Sequence, residues 1–418
     1  MAPTTPTAPT SARLPKSKTL HGSRAHDGTG LARGLLIASV GGSLRKRTFH
    51  LALTSRLPLF MACLLGGFKL VDSTLVPEDP ARAVAKAPPS RKRRAFSFAA
   101  GMASSAIALH LLPESSRWDF TLLTTIRALD TLANRHFTKN ELFKYTDTTI
   151  FVLSGVEIMY AWFYNPASLP KSYQKWISKM ADMDDRLIQV LRMIKNGQIV
   201  YGSKSGPTRA NKNFLTQRAK DLKIEASLVD PTQGQVSCLI VHSGTHGCEQ
   251  YAADTFTKSL FRAAGIYVPV HLLPRLLFQF QGGLPRILLH TLRAAARSSA
   301  FLASFVTIVK YAICKLRTVT GRDAPINVII ASFLAGFSIM IERPSRRREI
   351  ALYCLPKALE SAWQRMGFSQ LFGEARGLTK HLNLAIFSMS MGAILESYKH
   401  HPKAVQPAIR GLLGFFLV

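Results

Sequence analysis

Two uncharged stretches of membrane length organise the hydrophobic pattern of this chain. From Ala324 to Ile341 eighteen residues pass without a charged side chain, close to the ~20 an α-helix needs to cross ~30 Å of hydrocarbon at about 1.5 Å per residue. Ala95 to Pro113 form an earlier run of nineteen. Each run ends in proline and charge: Pro113, Glu114, Ser115, Ser116 and Arg117 close the first, and Glu342, Arg343, Pro344, Ser345 and the triplet Arg346 to Arg348 close the second. The segments beyond the breaks align without a gap, Ser116 to Arg135 on Arg346 to Arg365. Arg117/Arg347, Leu122/Leu352, Ala128/Ala358, Leu129/Leu359 and Arg135/Arg365 are identical, while Asp119/Glu349, Arg127/Lys357, Asp130/Glu360, Thr131/Ser361 and Asn134/Gln364 keep their chemistry. Pro166 and Pro170 have counterparts in Pro402 and Pro407, with one residue more between the second pair. We read an internal duplication, a device that builds many membrane folds, against the alternative of convergent membrane composition.

Further apolar segments fit the same frame. Thr148 to Tyr164 is a span interrupted only by Glu157 and closed by Trp162, Phe163 and Tyr164 as an interfacial aromatic belt, and Leu382 to Leu395 is its partner in the second half. Leu57 to Phe68 and Ser298 to Val309 offer twelve uncharged residues each and span only if their basic ends snorkel. Leu31 to Leu44 reads as an interfacial helix, and Ala408 to Val418 is a short apolar tail. The texture changes between the halves. Tyr173 to Asn196 places Trp176, Met180, Met183, Leu187 and Ile194 on one helical face, with Gly197 positioned to cap the helix. Gly202 to Lys223 reads as an exposed polar connector. Phe256 to Leu289, broken by Pro269, Pro274, Gly282, Gly283 and Pro285, is not expected to form a clean spanning helix. The predicted fold is all-α: an integral membrane helical bundle with an internal repeat, amphipathic interfacial helices and a disordered N-terminal tail. Its parts are a basic tail over 1–30, a first membrane repeat over 31–165, an amphipathic helix, connector and Cys/His loop over 166–255, and a second repeat over 256–418.

Charge sharpens this picture. Fifty-four Lys and Arg against 24 Asp and Glu give +30, yet 47% of residues are hydrophobic. Such an excess suits nucleic acid or anionic lipid. Here the basic residues Arg91, Lys92, Arg93, Arg94, Arg346, Arg347 and Arg348 sit at the ends of uncharged runs, the place for lipid-headgroup contacts. The expected partners are therefore membrane lipids with anionic headgroups, together with further copies of the chain or other organelle-membrane proteins, and not nucleic acid. The basic residues precede the first core run and follow the second, which gives the copies opposite orientations by positive-inside counting.

Inside the core runs, small residues recur at a spacing of four, Gly101 with Ser105 and Ser332 with Gly336, and place helix-packing faces where backbones approach closely. Glu157 is the candidate intramembrane functional acid, since a carboxylate at that depth costs at least ~2.5 kcal/mol on insertion scales and should be paired or face the bundle. Counted back equally from Pro166 and Pro402, its counterpart is Ala393, so the repeat itself does not demand an acid. Cys238, His242, His246 and Cys248 are the candidates with metal-ligating chemistry, but neither zinc-finger spacing is present and Gly244 and Gly247 favour a loop. We expect reduced thiols there, no metal and no cofactor, with Cys63 and Cys314 packed as small hydrophobes. No phosphate-binding loop, dinucleotide fingerprint, nucleophile elbow or HExxH motif occurs, and no catalytic residues are assigned.

Leu169 to Gly202, Cys238 to Tyr251, Tyr267 to Phe278 and Ile341 to Trp363 together resemble the transmembrane protein 135 family, its fungal members especially. The resemblance implies an all-helical, multi-pass integral membrane protein of mitochondria or peroxisomes, distantly similar to the inner-membrane translocase and peroxisomal membrane protein families and linked to organelle shape and lipid metabolism. In the family segment the His is usually followed by Pro and the second Cys by a later His; Ser243 and Tyr251 occupy those places here. The expected function is non-enzymatic membrane organisation, organelle dynamics or lipid and solute handling. A membrane-embedded enzyme of lipid metabolism is the alternative, and a basic nucleic-acid binder ranks behind both.

Overall fold

The computed structural model describes residues 56–74, 90–137, 145–242, 247–278, 284–367 and 376–417. The expected tail over 1–30 and the expected helix at Leu31 to Leu44 lie outside them. Regular structure among the described residues is all helical, with no strand.

Helix α1 (Arg56–Met61) runs through a π turn at Ala62–Gly66 into α2 (Gly67–Thr74). The first core run becomes α3 (Arg91–Leu109), opened by Ser90, whose hydroxyl accepts from the Arg93 amide at 3.2 Å. Four basic residues thus fill its first turn, where the helix dipole disfavours cations. Two acids from elsewhere in the chain offset that cost: Asp72 lies 3.0 Å from Arg93 and Glu396 lies 2.8 Å from Arg94. Next come α4 (Glu114–Phe137) and α5 (Thr146–Tyr164).

The middle of the chain departs from expectation. The single amphipathic helix predicted over Tyr173 to Asn196 is two, α6 (Lys171–Ala181) and α7 (Asp185–Lys195). Asp182 ends the first in the left-handed region at φ 47°, and the Asp184 carboxylate opens the second by accepting from the Arg186 amide at 2.9 Å. Gly197 caps α7 as expected. It sits at φ 71°, its amide donates to Ile194 O at 3.1 Å, and the next amide donates to Met193 O at 2.9 Å. The predicted connector Gly202 to Lys223 contains α8 (Pro207–Asn211) and α9 (Asn213–Leu222). Leu215 and Ala219, four apart on α9, are buried with Leu187, Val190, Ile199, Val229, Val236 and Ile240 in a small core. So few inward positions are what make the stretch look uniformly polar.

Phe256 to Leu289 is more helical than its prolines suggest. α10 (Cys248–Phe278) runs for 31 residues through Pro269 and Pro274, and α11 (Leu284–Thr320) for 37. α10 is not among the described helices apolar enough to cross a membrane. Each proline removes one donor, and the neighbouring turns carry the helix past it. Ser298 to Val309 is the interior of α11, and Arg297 and Lys310 ride on its surface without ending it. Among the described residues Ile287–Thr320 is long and apolar enough to cross a membrane, and Pro325–Ile341 is a shorter apolar helix.

The second core run forms α12 (Pro325–Gly336) and a 3₁₀ turn at Phe337–Ile341. After it come α13 (Pro344–Arg365), α14 (Arg376–His400) and α15 (Pro407–Leu417). Packing crosses between the halves of the sequence. α3 and α4 lie against α14, while α12 and α13 lie against α5. One core gathers Phe151, Ile158 and Trp162 of α5 with Phe301 of α11, Val328 of α12 and Ala351 of α13; another gathers Phe60, Leu64 and Phe68 with Ala100 and Ala108 of α3 and Phe387 and Leu395 of α14. α10 packs along α11, which in turn packs on α12.

Candidate functional site

The predicted helix-packing residues sit where helices cross. A Cβ on Gly101 would meet Gly392 Cα at 3.0 Å, and one on Gly336 would meet Val152 Cα and Cγ2 at 2.9 Å. Ser105 is buried and its hydroxyl donates to Gly101 O at 2.6 Å, and Ser332 is buried on the same face as Gly336.

The aligned arginines make parallel contacts. Arg117 Nε donates to the carbonyl five residues back, Leu112 O at 3.0 Å, and Nη2 to the one seven back, His110 O at 3.1 Å. Arg347 repeats both steps, to Glu342 O and Met340 O, each at 2.7 Å. In both places an arginine after the break satisfies carbonyls left without partners at the end of the preceding helix. Arg135 and Arg365 each pair with an acid from the other half of the chain. Arg365 Nη2 lies 2.6 Å from Glu157 Oε2, and Ser361 Oγ donates to Glu157 Oε1 at 3.1 Å. Arg135 Nη1 lies 3.0 Å from Glu396 Oε2. Glu157 is therefore partly buried and paired. Its counterpart by contact is Glu396 and not Ala393, which corrects the asymmetry expected from the prolines. α5 and α14 both end two residues before their proline, but α14 carries its acid one turn nearer the end, so counting from proline misses it by three residues.

The expected headgroup residues divide. Arg91 and Lys92 are exposed. Arg93 and Arg94 pair with Asp72 and Glu396, Arg348 lies 2.6 Å from Asp130, and Arg347 serves the backbone. Arg346 is half-buried.

A second polar centre joins the small middle core to α11. Cys238 begins a 3₁₀ turn (Cys238–Ile240), Cys248 begins α10, and Cys314 projects from α11 between them. Cys314 Sγ lies 3.4 Å from Cys238 Sγ, 3.5 Å from Cys248 Sγ and 3.2 Å from His242 Nε2. One turn further along α11, Arg317 Nη1 donates to Cys238 Sγ at 3.3 Å while its Nε and Nη2 pair with Asp323, each at 2.8 Å. Asp323 in turn accepts from the Tyr201 hydroxyl. The hydrogen bond from Cys314 and the nearby Arg317 charge hold the Cys238 thiol down at about 5, whereas burial lowers His242 and raises Tyr201. The His242 ring stacks on Tyr251 with centroids 4.6 Å apart. His246 lies outside the described residues. Cys314 is the member the sequence reading misplaced, because a thiol in an apolar helix reads as a small hydrophobe. Arg317, three residues on and facing the same way, was the available signal.

No family model matches the sequence, and no solved structure matches the fold. Two chemistries are thus open to these residues by geometry alone. The acid and arginine pairs cross-link helices, and the thiols of Cys238, Cys248 and Cys314 form the one group among the described residues that could hold a metal ion, with His242 Nε2 beside Cys314 Sγ.

Proposed function

We propose that this chain is a multi-pass integral membrane protein of the transmembrane protein 135 family, built from two copies of a three-helix unit. In this reading it acts without enzymatic chemistry in mitochondrial or peroxisomal membranes, organising membrane shape or handling lipid. The organelle and the lipid connection rest on the family resemblance. The membrane assignment rests on the polarity of Pro325–Ile341. Its buried side is Asn327, Val328, Ala331, Ser332, Ala335, Gly336, Ser338 and Ile339, mostly small residues, and its outward side is Ile326, Ile330, Phe333, Leu334, Phe337, Met340 and Ile341. A water-soluble fold exposes few large apolar side chains side by side, so an outward face made wholly of them, over a buried side of mostly small residues, suits hydrocarbon outside and helix contact inside. Ile107 on α3, Phe261 on α10 and Leu288, Leu289 and Leu292 on α11 are likewise exposed. The duplication is supported by the reciprocal packing of α3 and α4 on α14 and of α12 and α13 on α5, with the matched Arg117/Arg347 and Arg135/Arg365 contacts.

Alkaline carbonate washing of isolated membranes tests the assignment. The protein is expected to stay in the pellet until detergent is added, because spanning helices satisfy their own backbone hydrogen bonds in lipid. Release by carbonate alone would remove the integral reading, and a fluorescent fusion imaged against mitochondrial and peroxisomal markers decides the organelle.

A further inference from the structure

We propose that Cys238, His242, Cys248 and Cys314 bind one zinc ion, which staples the small middle core and the start of α10 to α11. Spacing along the chain hides this set, since Cys314 lies 66 residues beyond Cys248. The geometry supports a single shared centre. Cys314 Sγ faces two thiols and an imidazole nitrogen at 3.2–3.5 Å, and all three sulfurs lie within 4.8 Å of one another. A tetrahedral ion with Zn–S of about 2.3 Å and Zn–N of about 2.0–2.1 Å holds its sulfurs about 3.8 Å apart and its nitrogen about 3.6 Å from each sulfur. The three sulfurs would draw around the ion, and the His242 imidazole, now beside Cys314, would turn toward the other two thiols. A disulfide would use two thiols and leave the third thiol and the imidazole unexplained; three convergent thiols with an imidazole nitrogen beside one of them suit a metal.

Ligand chemistry selects the ion. Three thiolates and one imidazole favour zinc over hard, oxygen-seeking magnesium or calcium, and four protein donors leave no open position, which makes the site structural and not catalytic. A Cys₃His zinc centre carries one net negative charge. Arg317 donates to Cys238 Sγ from within this buried region and is itself held by Asp323 and by Val236 O at 2.7 Å, an arrangement that orients and stabilises a metal-bound thiolate. The three ligating segments come from separate elements, so the ion closes the loop between Cys238 and Cys248 and fixes its depth against α11.

The test uses the full chain purified in detergent, with any affinity tag removed and no chelator present. Elemental analysis is expected to give about one zinc per chain, lowered at least tenfold in Cys314→Ser and in Cys248→Ser and unchanged in Cys63→Ser and Cys354→Ser. Because the ligand variants could fail to fold, the wild-type protein is also titrated with an organomercurial beside a zinc-responsive dye. Zinc release that follows modification of three thiols supports the site, as does the thiolate-to-metal charge-transfer absorption of a tetrahedral site after exchange with cobalt. The proposal is overturned if folded wild-type protein carries no zinc, if mass spectrometry of the unreduced protein finds a disulfide within the trio, or if both ligand variants keep full occupancy.

Discussion

Arg135 and Arg365 stand at matching places near the ends of α4 and α13, yet their ion pairs differ in environment. The Arg135 and Glu396 side chains are 14% and 7% exposed, whereas Arg365 and Glu157 are 42% and 16% exposed. Removing one partner of a buried pair strands the other charge and costs about 3 kcal/mol or more, while a pair open to solvent contributes about 1 kcal/mol or less. Glu396→Gln, which strands Arg135 and also takes the carboxylate from Arg94, should therefore lower the thermal unfolding midpoint in detergent clearly more than Glu157→Gln does. Equal losses would show that the two pairs are not distinguished by burial. At this scale the sequence was half legible. The arginines align by eye because they follow the breaks at a fixed distance. Their acids do not, because Glu396 sits at the charged end of its apolar run and reads as the end of a span. Cys314 was hidden for a related reason, since nothing along the chain distinguishes an apolar-helix thiol that packs from one that converges on two others.

Between elements, backbones approach closely beside the cores of large apolar side chains. A Cβ on Gly336 would meet Val152 where α12 meets α5, and one on Gly392 would meet Phe98 O and Met102 Cγ at 2.9 Å where α14 meets α3. Neither crossing has room for a methyl group against backbone atoms. Gly336→Ala should thus cost about 1–3 kcal/mol by overpacking. Gly411→Ala in α15, where a Cβ meets nothing within 4 Å, should be neutral or stabilising. Unfolding midpoints of the two purified variants check this, and a tolerant Gly336→Ala would contradict the packing. The small-residue faces at Gly101, Ser105, Ser332 and Gly336 could be read from spacing alone, as could the Gly197 cap. The break between α6 and α7 could not, because Asp182 in the left-handed region is a choice that helical periodicity does not reveal. The length of α10 was also concealed, since prolines at 269 and 274 look like terminators until the turns around them are seen to continue.

For the whole molecule, the outward apolar face of Pro325–Ile341 joins the proposed duplication, the charge distribution and the proposed membrane setting. α5 packs with α12 and α13 and α14 with α3 and α4, which in the proposed duplication is an exchange of the third helix between two three-helix units. Such an exchange makes each half depend on the other, and the arginine pairs lie at those same contacts. The alignment of Ser116–Arg135 on Arg346–Arg365 suggested two copies; it carried no information on their exchange, because alignment compares segments and says nothing of which segment touches which. The most direct test is to reconstitute the full chain in bilayers that contain a phospholipid with a photoreactive acyl chain and to map the adducts by mass spectrometry. The account predicts adducts on Ile330, Phe333, Leu334, Phe337 and Met340, with Ala331 and Ala335 unmodified. Absence of adducts across Pro325–Ile341 in protein that remains folded would contradict it.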